Sequence, residues 1–281
     1  MERVTVIGLG IIGSAWAKNL HADGLAVRGW NRTPKDFPFY EADLVRSVKD
    51  AEMIIIVVAD PAAVESILDG IVPRLRAGQL VVQSSTISAR WTKLFAARVE
   101  AVGAQFLEAP FTGSKPAAEA RKTVFYLGGT TELIEKARPV LSRLGSQLLH
   151  IGPTGTASSL KLAMNLNIAI ISEALSESLT LARVEGIPDD KFFEALHLNA
   201  GRSGFADLKE PKFRSGDYSP QFSLKHMTKD LRLALETAGS LELPLTKKLK
   251  SLYDKGMESG FSEDDLIGVI RLLADSKKNA K

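Results

Sequence analysis

The 281-residue sequence predicts an α/β fold, with a doubly wound parallel sheet in its first half and an all-α second half built on one long helix. Three observations carry that expectation. Short β-branched apolar runs alternate with helical patterns for roughly the first 150 residues, as in doubly wound sheets. The opening run Val4-Thr5-Val6-Ile7 enters G-x-G-x-x-G at Gly8, Gly10 and Gly13, then a helical pattern through Ala15, Trp16, Ala17 and Leu20. Beyond Gly152 no convincing strand follows, and Thr156–Val184 reads as a helix with almost no breaker, roughly 43 Å long at 1.5 Å per residue.

Composition narrows the chemistry. Apolar residues make up 45% of the chain and charged residues 25%, a globular balance with ample core material. The net charge of +3 is small and scattered, which fits anionic small molecules and does not point to nucleic acid. Cysteine is absent, which excludes disulfides, thiolate catalysis and cysteine zinc sites. The four histidines, His21, His150, His197 and His226, lack metal-ligand spacing, so no metal is expected. No apolar run approaches the roughly 20 residues that span a bilayer. The chain opens directly on a strand pattern, without a signal peptide, so a cytoplasmic protein with no membrane partner is expected.

Taken in order, Gly8, Leu9, Gly10, Ile11, Ile12 and Gly13 form a strand–turn–helix junction. Gly8 allows the turn, Gly10 lets a pyrophosphate approach the backbone, and Gly13 lets helix and strand pack closely. The helix N-terminus offers N–H groups and partial positive charge to the phosphates. A glycine-rich turn of another α/β protein is the plainer alternative. The next strand, Leu25–Trp30, ends in Asn31-Arg32-Thr33, with Lys35 nearby. An NAD site places Asp or Glu here for the ribose 2′-hydroxyl. Guanidinium and hydroxyl groups suit a 2′-phosphate instead, so NADP(H) is expected. An ordinary exposed basic loop is the alternative.

Glu41–Val48 carries two helical turns. Met53–Ala59 reads as a strand buried on both faces, whose end, Val58-Ala59, belongs on the cofactor side. Asp60-Pro61 opens a helix running to Leu68. Gln79–Gln83 is a strand with Ser84-Ser85-Thr86 at its carboxyl end, where open α/β sheets hold ligands. The same hydroxyls suit N-capping of a helix over Ala89–Val102. The strand Ala104–Glu108 enters a loop over Ala109–Pro116, the strand Thr123–Gly129 follows, and a helix over Thr131–Leu144 has Gly145 as its stop. Gln147–Ile151 closes the alternation. The boundary falls near Gly152–Gly155, dividing the chain into 1–153 and 154–281. Further helices are expected over Asp190–Leu198, around Phe205–Lys212, and over Ser223–Ser240, Pro244–Ser259 and Glu263–Leu273. The long helix is apolar nearly all round at Leu166 and Ile168–Ile171, which calls for a covering second copy, a homodimer. The polar end, 275–281, is expected to fray.

Three clusters could do chemistry. Lys161 and Asn165 are four apart near the start of the long helix and share a face. An ammonium beside an amide can hold a carbonyl oxygen and give it a proton; a lysine snorkelling to water is the alternative. In Glu108-Ala109-Pro110-Phe111-Thr112-Gly113-Ser114, successive N–H groups and two hydroxyls can form a nest for a carboxylate, or simply a turn. Lys229-Asp230, on a charged helix, reads by itself as a solvated face.

Together these motifs resemble the β-hydroxyacid dehydrogenase family (3-hydroxyisobutyrate dehydrogenase-like) along nearly the whole chain. The residues concerned are the opening glycines, Ser85-Thr86, the E-A-P-F-T-G-S loop, the helix with Lys161 and Asn165, and Lys229-Asp230. Gly113–Glu119 and Leu224-Lys225-His226 look most like its glyoxylate and succinic semialdehyde reductase subgroup. The resemblance implies a Rossmann domain followed by a helical substrate and dimerisation domain. It implies Lys161 as acid/base, Asn165 as its positioning partner, Thr112, Gly113 and Ser114 on the substrate carboxylate, and Thr86 and Lys229 on the cofactor. The substrate is then a small carboxylate-bearing aldehyde or hydroxyacid. The 3-hydroxyisobutyrate and tartronate semialdehyde dehydrogenases are alternatives within the family. Imine reductases share the architecture but generally carry Asp or Tyr in place of the lysine, and a non-catalytic nucleotide-binding scaffold would have lost it. Two departures stand out. Thr112-Gly113 replaces the usual Ser-Gly, and with Phe111 is expected to reshape the pocket; the segment after Thr33 is shortened, as if a helix had been trimmed. Titration with both cofactors should show tighter binding of NADPH; a clear preference for NADH would overturn the reading of Arg32-Thr33.

Overall fold

The computed structural model describes residues 1–273; the stretch 275–281, expected to fray, lies outside the described residues. The chain forms two compact units that meet in sequence between Leu162 and Ala163.

The first unit alternates strand and helix. Its elements are β1 (Arg3–Ile7), α1 (Ile11–Ala22), β2 (Ala26–Trp30), α2 (Leu44–Val48), β3 (Met53–Ile56), α3 (Pro61–Ile71), β4 (Leu80–Gln83), α4 (Ala89–Glu100), β5 (Gln105–Glu108), β6 (Phe111–Thr112), α5 (Lys115–Glu119), β7 (Thr123–Gly128), α6 (Thr131–Leu141) and β8 (Gly145–Gly152). The strands order as β2-β1-β3-β4-β5-β7-β6, with β8 on β7. The first five are parallel. Strand periodicity divides the core cleanly. Val4, Val6, Met53, Ile55, Leu80, Val82 and Leu107 face one way, onto α1 and α6. Ile7, Ile54, Ile56, Val81 and Phe106 face the other way, onto α3 and α4. Because β1 lies between β2 and β3, the chain order reverses there, which opens a crevice at the strands' carboxyl ends.

Several expectations are corrected. The sheet is mixed, not wholly parallel: β7 runs antiparallel to β5, and β8 runs parallel to β7. Between β5 and β7 the chain holds only a two-residue strand and a five-residue helix, not a full crossover helix. The chain therefore returns antiparallel. Gly145 is not a helix stop but the first residue of β8, since α6 already ends at Leu141. The half-buried Phe111 ring packs edge-on against Trp16, centroids 4.8 Å apart. The shortened segment after Thr33 runs beside β2, where the Gly29 N–H donates to the Phe39 carbonyl at 2.8 Å. Phe37 and Phe39 stack there at 5.2 Å, and the Lys18 ammonium lies over Phe37. Aromatic packing thus takes the place of a helix.

α7 (Thr156–Val184, 29 residues) carries the division between the units. The second unit contains the rest of α7, then α8 (Asp189–Leu198), α9 (Gly204–Ser215), α10 (Leu224–Ala238) and α11 (Pro244–Glu258). The final helix begins later than expected, as a 3₁₀ turn over Leu266–Val269, because Asp265 caps it. Leu179, Phe193, Phe213, Leu224, Met227, Leu231 and Tyr253 form this unit's core. A fully buried ion pair crosses it: the Lys209 ammonium donates to both Asp265 oxygens at 2.8 Å. Burial pushes the Lys209 amine below the usual lysine range, and Asp265 opposes that shift.

Glu173 on α7 is 8% exposed. Among the described residues, neither of its oxygens has a hydrogen-bond partner. Burial, with Glu177 one turn on, pushes its carboxyl from the ordinary 4.5 up to about 7. Between those values the folded chain holds a proton that the unfolded chain has lost, so stability falls as pH rises through that window. At about 1.4 kcal/mol per pKa unit, Glu173→Gln should be stabilised relative to the parent by about 2–3 kcal/mol more at pH 8 than at pH 4. Thermal melts across that range check this, and parallel Tm curves for the two proteins would overturn it.

Candidate functional site

In the first unit the glycine junction is built by close approach. A Cβ on Gly8 (φ 100°) would lie 2.2 Å from the Val57 carbonyl oxygen, and one on Gly13 would lie 1.9 Å from that of Gly8. Beside Gly10 a Cβ would meet nothing, and no side chain caps the first turn of α1. The N–H groups of Ile11 and Ile12 therefore open a helix end with no intrahelical acceptor. Asn31 braces the loop. Its Oδ1 accepts from the Leu9 N–H at 3.0 Å and its Nδ2 donates to the Thr33 carbonyl at 2.8 Å. Arg32, Thr33 and Lys35 are exposed beyond β2, and Arg32 makes no ion pair among the described residues.

Along the same sheet edge, Ser85 Oγ accepts from the Val58 N–H at 2.8 Å, tying the end of β4 to Val58-Ala59. Ser88, not the Ser84–Thr86 cluster, stands at the N-cap of α4, which leaves Thr86 outside the cap. Thr112 sits on β6, paired with Val124, and Gly113 follows with φ 137°. Ser114 is half-buried at the start of α5.

Glu108, at the end of β5, is fully buried. Its Oε1 accepts from the N–H groups of Gly155 (2.6 Å) and Ala157 (3.0 Å). Its Oε2 accepts from the Ser158 N–H (3.1 Å) and the Ser158 hydroxyl (2.6 Å). The carboxylate thus satisfies donors that the first turn of α7 would otherwise leave orphaned. Lys161, three residues after Ser158, is 8% exposed and lies in the same unit. Asn165 follows one turn along the helix.

In the second unit the Asn165 Nδ2 donates to the Asp230 Oδ2 at 2.5 Å. A carboxylate is acceptor-only, so this bond orients the amide and leaves its Oδ1 as an acceptor. The Lys229 ammonium lies 3.0 Å from the Asp230 Oδ1. Asp230 is 2% exposed, so Lys229-Asp230 is not the solvated face read from its local sequence. On the same helix the Ser223 hydroxyl lies 2.5 Å from the His226 Nδ1. Burial, with Lys229 nearby, holds that imidazole below its usual range.

Residues 3–152 match the family model described as the NAD binding domain of 6-phosphogluconate dehydrogenase. Residues 155–273 match the one described as NAD-binding of NADP-dependent 3-hydroxyisobutyrate dehydrogenase. The chain belongs to the β-hydroxyacid dehydrogenase family. Glyoxylate/succinic semialdehyde reductase 1 of Arabidopsis thaliana is 28% identical over 98% of this chain and 99% of its own length. The chloroplastic reductase 2 of the same plant is 30% identical, over 96% and 79%. The solved 3-hydroxyisobutyrate dehydrogenase of Mycobacterium tuberculosis superposes with a TM-score of 0.88 at 25% identity, over 97% and 99%.

As a β-hydroxyacid dehydrogenase the protein is a nicotinamide-dependent oxidoreductase acting on CH–OH groups. The open face beside Gly10 and the uncapped start of α1 fit a dinucleotide's pyrophosphate. Among the described residues, no cluster of three or more potential metal-ligating side chains occurs, and no helix is long and apolar enough to cross a membrane.

Sequence reading missed two residues of this region. Glu108 reads from sequence as the last residue of a strand, which it is, but its role as acceptor for a distant helix start has no local signal beyond a carboxylate at a strand end. Asp230 was taken as surface, and nothing in its local pattern marks the Asn165 bond. The packing around Glu108 is tight: a Cβ on Gly128 would lie 1.9 Å from its Oε1. Gly128→Ala should therefore cost about 1–3 kcal/mol by overpacking. A thermal melt checks this, and an unchanged Tm would overturn the close packing.

Proposed function

We propose that this β-hydroxyacid dehydrogenase reduces the carbonyl of a small aldehyde acid, of the glyoxylate or succinic semialdehyde type, with NADPH. Lys161 is the proton donor. The observation that carries this reading is the burial of Lys161 in the same unit as the dinucleotide loop. A bound dihydronicotinamide supplies the hydride equivalent to the carbonyl carbon. As charge grows on the carbonyl oxygen, the Lys161 ammonium stabilises it and delivers the proton. Asn165, its amide held by Asp230, orients the lysine and substrate. Thr112, Gly113 and Ser114 hold the substrate carboxylate, which fixes the carbonyl's approach. Thr86 and Lys229 contact the cofactor with the glycine loop, Asn31, Val58 and Ala59.

Arg32 and Thr33 take the 2′-phosphate, and the exposed guanidinium supports NADP(H) over NAD(H). Relatives named glyoxylate/succinic semialdehyde reductase support the substrate class. In this reading residues 1–153 bind the dinucleotide and 154–281 form the substrate and dimerisation domain. A second copy covers α7, where Met164 and Leu181 are exposed in the stripe Met164, Asn167, Ile171, Ala174, Ser178, Leu181. Such a seam repeats every 3.5 residues.

General acid catalysis is worth about 10²–10⁴-fold, so Lys161→Ala should lower kcat by that factor and leave NADPH binding nearly intact. Cofactor absorbance with glyoxylate, succinic semialdehyde, 3-hydroxyisobutyrate and a cyclic imine reads both the substrate class and the variant. Turnover by Lys161→Ala at the parental rate would overturn the role of the lysine, and reduction of the imine alone would overturn the substrate class.

A further inference from the structure

Glu108 is a fully buried carboxylate that makes no ion pair among the described residues. A buried charge of this kind costs several kcal/mol unless hydrogen bonds repay its lost hydration. Here every acceptor bond it makes goes to one place, the start of α7: the N–H groups of Gly155, Ala157 and Ser158, and the Ser158 hydroxyl. The chain extends to a second layer. The Ser158 hydroxyl spends its proton on Glu108, so the Thr92 hydroxyl of α4, 2.7 Å away, must donate to Ser158. Donor directions are thereby settled from α4 through α7 to the end of β5. Gly128 leaves the room that the carboxylate occupies.

Ser158 and Lys161 are three apart on the helix, so they share a face and lie roughly 4.5 Å apart along the axis. Whatever holds the backbone at 155–158 also sets the root of the Lys161 side chain. The carboxylate acts electrostatically as well. It lies at the positive end of α7 and offsets the partial charge that would disfavour a cation in its first turns.

We propose that Glu108 is a positioning residue for the reduction: it locks the first turn of α7 to the carboxyl end of β5, which aims the Lys161 amine and favours its protonated form. This rests on the reading of Lys161 as proton donor. A misplacement of about 1 Å can cost about 10²-fold in rate, which sets the scale of the effect.

The test is a double-mutant cycle between Glu108→Gln and Lys161→Ala, measured on the full chain with NADPH and the best aldehyde acid. Glutamine keeps the shape but loses the charge and presents an N–H₂ group to the Ser158 N–H. In the parental background Glu108→Gln should lower kcat by about 10–100-fold, leave the dinucleotide Kd within about twofold, and move the alkaline limb of the kcat–pH profile to lower pH. In the Lys161→Ala background it should change the residual rate by less than about threefold, because the group it acts through is gone. If Glu108→Gln fails to fold, Ser158→Ala removes one of the four bonds and keeps the charge; it should lower kcat by about 3–10-fold in the parent only. Equal losses in both backgrounds, or a parental kcat in Glu108→Gln, would overturn the positioning role while Lys161 keeps its own. Parental turnover in Lys161→Ala alone would instead overturn the reading on which this inference rests, and the inference with it.

Discussion

A buried carboxylate holds a helix end in the first unit, and the stretch of backbone that carries Lys161 depends on that constraint. Helix α7 begins with N–H groups that no helical partner can satisfy, and Glu108 accepts from three of them. Neither partner tolerates separation well. Without the helix, Glu108 is an unpaired charge in a dry interior; without Glu108, the helix start exposes orphaned donors there. This mutual need fixes the first turn of α7 to the sheet that carries the glycine junction. Lys161 inherits its placement from that junction of β5 and α7.

The second unit uses the same principle with different partners. Asp265 accepts from the Lys209 ammonium and from the Gln221 N–H, which joins α9 to the chain leading into α10. Asp230 accepts from Asn165 and so joins α10 to α7. In each case a buried acceptor leaves its donor one orientation, which hydrophobic contact cannot do. Glu173 is the exception: among the described residues its oxygens find no donor, and burial with Glu177 nearby raises its carboxyl to about 7.

At the dinucleotide end, backbone geometry dominates. Gly8 and Gly13 permit contacts that any side chain would block, and Asn31 ties the loop to the end of β2. The stretch after Thr33 packs Phe37 and Phe39 against Lys18 and His21 of α1, which covers the sheet edge there. The basic side chains beyond Asn31 stay in solvent, where a phosphate can reach them.

The sequence by itself determined the strand–glycine–helix opening, the alternation through Gly152, the long helix and the candidate residues Lys161 and Asn165. Those features are local: period-two and period-3.6 patterns and glycine spacing are written in neighbouring residues. Only the tertiary structure decided that β7 turns back antiparallel, that Phe111 packs on Trp16, that Glu108 caps a helix 47 residues away, and that Asp230 is buried on Asn165. Each of these joins residues far apart in the chain. A carboxylate in a linear sequence looks the same whether it faces water or a distant helix end, and only folding supplies the partner that tells the two apart.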